Sequence, residues 1–285
     1  MGLAAKTAPS FYEKMKKKQV YRIISIVSLA VMVLAIASIV YMLFLYQKSS
    51  REYEALSEAA RAAAEQMAEE AQQSGETQPE QDGRVPIPVD FAYLQAQNPD
   101  IVGWIEVDGT AVNYPVLYDD TSFLVYLNHN YLRAFTPYGA IFMLGESGPD
   151  FTGFNSVIYG HNLIDGSMFA SLHRFEDQDF FDEHRTIMIY TPDRVLSYEI
   201  FAAYRTDNRN VLAKYPCTTR EERQAYIDYI YSHETKAIFD RSIEVTPDDR
   251  IITLSTCIAN PSYRYLVQGV LVSEQEGIST ATAVG

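Results

Sequence analysis

Two cysteines in 285 residues cannot make a disulfide framework, and a chain of this length buries a core without one. Positive charge is also scarce: 23 Lys and Arg stand against 37 Asp and Glu, a net charge of -14. The protein therefore lacks the basic surface that displaces counterions from a phosphate backbone, and no nucleic-acid partner is expected. No run of His, Cys and carboxylates has metal-ligand spacing, so neither a metal nor a cofactor is expected. Internal repeats are absent, and the 14 Gly and 12 Pro are spread along the chain rather than gathered in tracts. The bulk of the chain is expected to fold.

One long hydrophobic run is present. Residues 24–46, "ISIVSLAVMVLAIASIVYMLFLY", contain no charged side chain and are long enough to cross a bilayer as a helix. Lys14, Lys16, Lys17, Lys18 and Arg22 precede it against Glu13 alone, which predicts a cytoplasmic amino terminus. The run exceeds a usual signal-peptide core and ends in no small-x-small cleavage site, so a retained anchor is expected. The expected division is a basic cytoplasmic tail over 1–23, a transmembrane anchor over 24–46 and an extracellular stalk over 47–88. A folded outer domain over 89–275 and a tail over 276–285 complete it. In the stalk, "REYEALSEAARAAAEQMAEEAQQ" (51–73) favours a solvated helix by its Ala and Glu content, with too few large apolar residues for a core element. "SGETQPEQDGRVPIP" (74–88) reads as a flexible linker.

The outer domain reads as mainly β. Short runs rich in Val, Ile and Tyr recur between turn signals at 101–107, 112–118, 140–144, 156–162, 186–192, 195–206, 250–257 and 263–274. Helical pattern is confined to 91–99, 167–175 and 220–234. A closed or nearly closed β-barrel decorated with helices is the expected architecture.

Cys257 ends the apolar run "RIITLSTC", and a thiol becomes a useful nucleophile when a base or a positive charge activates it and a donor receives the oxyanion. Of the five histidines, His161 in "VIYGHN" follows an apolar strand and falls at a barrel rim. His129, His173, His184 and His233 sit in polar or helical surroundings and read as surface or capping residues. The run opening at Tyr263 follows Cys257 after so short a loop that antiparallel pairing is expected, which returns Arg264 beside Cys257. Its guanidinium is permanently charged and offers several donors. Each residue also has a plain reading, as buried packing, a loop histidine or a surface arginine, and residue chemistry alone leaves both readings open. Cys217, in "KYPCTTR", lies outside either motif and is not expected to be a disulfide partner.

"TLSTC" (253–257), Arg264 opening an apolar strand and "YGHN" (159–162) upstream resemble the sortases, cysteine transpeptidases of Gram-positive bacterial surfaces. The likeness runs from about Phe91 to Val272 and is greatest with class B, through "NPDIVGWIEVDGTAVNYPVLY" and the block from "YGHN" to "DEH". It implies a closed eight-stranded sortase barrel over 89–275. By the same likeness Cys257 is the nucleophile, His161 the general acid or base, and Arg264 the substrate clamp and oxyanion stabiliser. Thr256 is implied to aid the oxyanion through its backbone amide or its hydroxyl, Ser255 and Tyr159 to line the site, and Asn113 to bind peptide. The implied partners are secreted proteins bearing a C-terminal sorting signal and an amine of the peptidoglycan precursor, or a pilin lysine if the enzyme polymerises pili. Other readings are a hydrolytic cell-wall cysteine peptidase, many of which place Cys before His, and a stalked binding module with an inert cysteine.

Overall fold

The computed structural model describes residues 11–74, 84–118, 120, 124–233, 237–258, 260 and 262–278. Most of the expected linker, most of the carboxy-terminal tail and the first ten residues of the basic tail lie outside them. The chain divides into two compact units, Met1–Ser49 and Ser50–Gly285.

The first unit is helical. Its described residues belong to α1 (Phe11–Ser74), a helix that contains the apolar run. From residue 18 to residue 44 its side chains are exposed on every side, Leu34 at 68% and Phe44 at 61%. A helix apolar all round and uncovered by protein matches hydrocarbon, not water. Among the described residues it is the one helix long and apolar enough to cross a membrane.

The second unit begins with the rest of α1. In chain order follow β1 (Val85–Pro86), α2 (Phe91–Gln97), β2 (Ile101–Val107), β3 (Asn113–Tyr118), α3 (Leu124–Leu127), β4 (Ile141–Met143) and β5 (Asn155–Tyr159). Then come a 3-10 segment (Ala170–Glu176), α4 (Gln178–Glu183), β6 (Thr186–Tyr190), β7 (Arg194–Asp207), α5 (Val211–Lys214), α6 (Arg220–Tyr231), β8 (Ala237–Phe239), β9 (Ile251–Cys257) and β10 (Tyr263–Ile278). The strands β10, β9, β5, β4, β3, β2, β6 and β7 are hydrogen-bonded in that order, and β7 pairs back onto β10. The result is a closed eight-stranded barrel, as expected. It is mixed, because β3–β4 and β5–β9 are parallel and the other rungs antiparallel. Two short strands outside the ring, β1 beside β10 and β8 beside β7, do not stand out from the sequence, since two or three residues show no periodicity.

The alternation of each strand decides what lies inside. Ile158, Leu254 and Val267 join Trp104, Leu117 and Phe169 in the barrel core. Val157 and Leu266, of opposite parity, join a second cluster beneath α6 with Tyr226, Ile227 and Ile230. Thr219 and Glu222 close a capping box at the start of α6. Since the barrel fills one face of β9 and α6 with its cluster covers the other, Ile251–Thr256 is buried throughout and reads as a continuous run rather than an alternating one.

The structure departs from expectation in two places. The 167–175 helix forms as a 3-10 segment over Ala170–Glu176, after Met168 takes a left-handed backbone (φ 55°). The stretch 51–73 is helical, but it is not solvated all round. Tyr53, Leu56, Ala60 and Ala64, spaced by three and four residues, are buried, and the first three join the barrel core. Small residues make this possible: Ala60 lets the chain approach closely enough for its carbonyl to accept from Asp90 N (3.1 Å). Tyr53 donates to Gly139 O (3.3 Å), and Arg61 is ion-paired with Glu106. The packed unit thus starts near Ser50, well before residue 89.

Candidate active site

Three adjacent strands, β5, β9 and β10, carry Tyr159, Ser255, Thr256, Cys257 and Arg264. Their register pairs Tyr159 with Ser255 and Cys257 with Arg264. On β9 the odd residues face away from the barrel core. Thr253 accepts from Gln268 Nε2 (2.7 Å) and donates to Asn155 Oδ1 (2.8 Å), and Gln268 also donates to the Tyr226 hydroxyl of α6 (2.8 Å). Alternation then sets Ser255 and Cys257 on the face of Thr253, with Tyr159 on that of Asn155 and Val157, and Arg264 on that of Leu266 and Gln268. Tyr159, Ser255, Cys257 and Arg264 therefore share one face of the sheet at one end. Cys257 is half-buried while the six residues before it are buried, so the strand delivers the thiol at the point where the core gives way to solvent.

His161 follows two residues after β5. Gly160 N donates to Ser255 O (3.1 Å), extending the ladder by one rung. Only glycine passes here, because a Cβ would lie 2.5 Å from Ile141 Cδ1 and 2.7 Å from the Phe169 ring. His161 O accepts from Phe169 N (2.9 Å), and its ring Nε2 lies 2.7 Å from Leu127 O. A carbonyl only accepts, so Nε2 carries the hydrogen, and Nδ1 is left as the nitrogen that can take a proton. His161 and Cys257 thus stand at the same rim on neighbouring strand ends, where strands run about 4.8 Å apart.

Arg264 is half-buried, and its guanidinium donates to Tyr263 O (3.1 Å). Burial holds the Tyr159 phenol neutral far above its ordinary range, against the opposing pull of the nearby Arg264 charge. Beyond Arg264 the face continues onto β7, where its partner Thr206 shares a hydrogen bond with Tyr229 (2.5 Å). Lys214 sits against the Tyr229 ring (4.4 Å) and pairs with Asp207 (3.1 Å).

Two sequence-expected residues turn their side chains elsewhere. Thr256 has the parity of Leu254, is 1% exposed, and its hydroxyl has no partner, so only its backbone adjoins the thiol. Asn113 is not in the cluster: its Oδ1 accepts from the Trp104 indole (2.6 Å) and its Nδ2 donates to Ser57 (3.4 Å), which ties β3 to α1. Both cysteines are free; burial pushes the Cys217 thiol up to about 11.

His173 departs from its reading as a surface residue. Its Nε2 lies 3.1 Å from Cys257 O, which also accepts from Asn162 Nδ2 (3.0 Å). The adjacency of Asn162 to His161 was a readable signal; nothing local marked His173, since the fold of the 3-10 segment brings it there.

A barrel with a half-buried cysteine, an arginine opposite and a histidine at the same rim defines a class, and comparison with known proteins agrees. The sortase domain model matches residues 105–272, and the chain belongs to the sortase family of cysteine transpeptidases. Within it the likeness is to sortase B: 36% identity over 187 residues with sortase B of Listeria monocytogenes (64% of this chain, 73% of the relative). Sortase B of Staphylococcus aureus is 34% identical over 167 residues (59% and 67%). Among solved structures, a Staphylococcus aureus sortase B–substrate complex superimposes with a TM-score of 0.59 at 27% identity, covering 76% of this chain and 97% of that one. A cysteine-to-serine mutant form of Clostridium perfringens sortase B gives 0.61 at 25% identity (79% and 98%). The protein is a sortase B-type transpeptidase, which sets aside the hydrolytic peptidase and the inert binding module.

Proposed function

We propose that the enzyme is held in the membrane by residues 24–46 with its barrel outside, and joins secreted proteins to the peptidoglycan precursor. In the first half-reaction the Cys257 thiolate attacks the carbonyl after Thr in a C-terminal sorting signal. The C–N bond breaks, His161 gives a proton to the leaving amine, and a thioester to Cys257 remains. In the second, a peptidoglycan-precursor amine loses a proton to His161 and attacks the thioester, and the C–S bond breaks. Arg264 holds the substrate carbonyl and stabilises the tetrahedral oxyanion.

The observation that carries this reading is the common face: Cys257 and Arg264 are opposed on β9 and β10, with Ser255 and Tyr159 beside them and His161 at the same rim. The Nε2 bond to Leu127 supports Nδ1 as the working nitrogen of His161. The apolar helix supports the anchor, and the lysines before it support a cytoplasmic amino terminus.

The test uses the full chain in detergent with a panel of sorting-signal peptides, with and without a glycine-peptide amine, read by mass spectrometry. A peptide acyl adduct on Cys257, resolved by added amine and missing in Cys257→Ala, is expected. Equal processing by wild type and Cys257→Ala, or no adduct with any peptide, would sink the assignment.

A further inference from the structure

We infer that His173 is a positioning residue for the nucleophile, clamping the Cys257 carbonyl together with Asn162; this rests on the reading of Cys257 as the nucleophile. Cys257 is the last residue of β9, and a strand end loses part of its ladder. After the rung from Gly160 N to Ser255 O, the next donor in a parallel ladder belongs two residues on, at the backbone of Asn162. The chain turns away there to bridge Met168, and the Asn162 side chain supplies the donor instead, 3.0 Å from Cys257 O. His173 Nε2 lies 3.1 Å from the same oxygen and 3.1 Å from Asn162 Nδ2, so by its tautomer it either donates to the carbonyl or accepts from the amide that does, and in both cases it holds the group at Cys257 O.

The ring of His173 is itself held. Its Nδ1 lies 2.8 Å from Glu176 Oε1, a carboxylate that only accepts, so Nδ1 carries a hydrogen and the ring's orientation is fixed. The other carboxylate oxygen of Glu176 accepts from Arg205 of β7 (2.7 Å). Partial burial works against the Glu176 charge, but hydrogen bonds from His173 and Arg205 outweigh it and keep the carboxyl below its usual range. The His173 ring also stacks on Tyr265 (centroids 4.9 Å apart, planes at 23°), the β10 residue paired with Thr256.

Arg205, Glu176 and His173 thus form a series that ends on the carbonyl of the thiol-bearing residue. Ion pairs at a surface contribute little to stability; here they orient a hydrogen bond. A peptide plane held by side chains from two different segments does not rotate, so the Cys257 side chain keeps its place opposite Arg264 at the rim. Because Asn162 adjoins His161, the same clamp fixes the spacing of the acid/base from the nucleophile. Misplacement of about 1 Å at such a site costs on the order of a hundredfold in rate.

The test compares kcat and KM for the full chain in detergent, with a sorting-signal peptide and amine acceptor, in wild type, His173→Ala, His173→Gln, Glu176→Gln and Cys257→Ala. His173→Ala is expected to lower kcat about tenfold or more and leave KM within about twofold. His173→Gln, whose amide reaches the place of Nε2, should regain most of that loss, and Glu176→Gln should fall between wild type and His173→Ala. Wild-type kcat in His173→Ala, or a His173→Gln no faster than the alanine variant, or a loss confined to KM, overturns the clamp. With Cys257→Ala inactive, such results leave the nucleophile assignment standing; turnover by Cys257→Ala overturns both. Should His173→Ala fail to fold, Glu176→Gln decides: undiminished kcat there overturns the clamp.

Discussion

Cys257 and Arg264 are directly opposed across the β9–β10 ladder, on the face turned away from the barrel core. Opposed antiparallel residues bring their Cβ atoms to about 4.5–5.5 Å, so the thiol and the guanidinium stem stand side by side. The proposed clamp role of the arginine rests on this pairing, and it can be tested by changing the head group while keeping the charge.

Arg264→Lys retains a cation but loses the planar fork of donors. We expect kcat/KM for a sorting-signal peptide to fall roughly a hundredfold, with the thermal midpoint little changed because the side chain is half-buried and the ladder bonds are backbone. Steady-state kinetics and a thermal melt check both halves; near-normal turnover would remove the clamp role.

Gly160→Ala places a Cβ against Ile141 Cδ1 and the Phe169 ring, both fully buried. Overpacking of this kind costs about 1–3 kcal/mol and shifts the backbone. His161 is the next residue, so activity should fall more than stability does. Chemical denaturation and kcat measured on the same preparation separate the two effects.

Leu56 is 4% exposed on a helix that composition alone would leave in water. Leu56→Ala should destabilise the barrel unit by about 2–4 kcal/mol. Likewise, a chain beginning at residue 84 should melt below one beginning at Ser50. Equal midpoints would show that the α1 face adds nothing to the fold.

Asp240 accepts from the Ser242 hydroxyl, from Arg185 (2.5 Å) and from the Ser242 amide, which hold its carboxyl down at about 2 against an ordinary 3.8. The folded value lies below the unfolded one, so the contribution is complete above about pH 4 and is lost as pH falls through 2. Asp240→Asn should therefore lower stability by about 1 kcal/mol at pH 7, with the difference from wild type closing below pH 2. Urea unfolding at a series of pH values gives the comparison; a gap that widens in acid would contradict the sign.

The main strands of the barrel were legible because their residues alternate or run apolar over five or more positions, as at Ile101–Val107 and Ile251–Cys257. The antiparallel return of Arg264 to Cys257 was legible for another local reason, the shortness of the loop between them. The helix face from Tyr53 to Ala64 was not, since its few apolar residues look like those of a solvated helix until a partner surface is known.

By itself the amino-acid sequence determined the apolar helix, the strand set, the family motifs and the order His161, Cys257, Arg264, all properties of neighbours along the chain. Only the tertiary structure decided which side chains share a face, because sidedness depends on which surface of each strand the core and α6 cover. It turned the side chains of Thr256 and Asn113 away from the cluster, and it brought His173, from a 3-10 segment 84 residues away, to the carbonyl of Cys257. Contacts of that separation have no local signature, since they exist only once the barrel has closed.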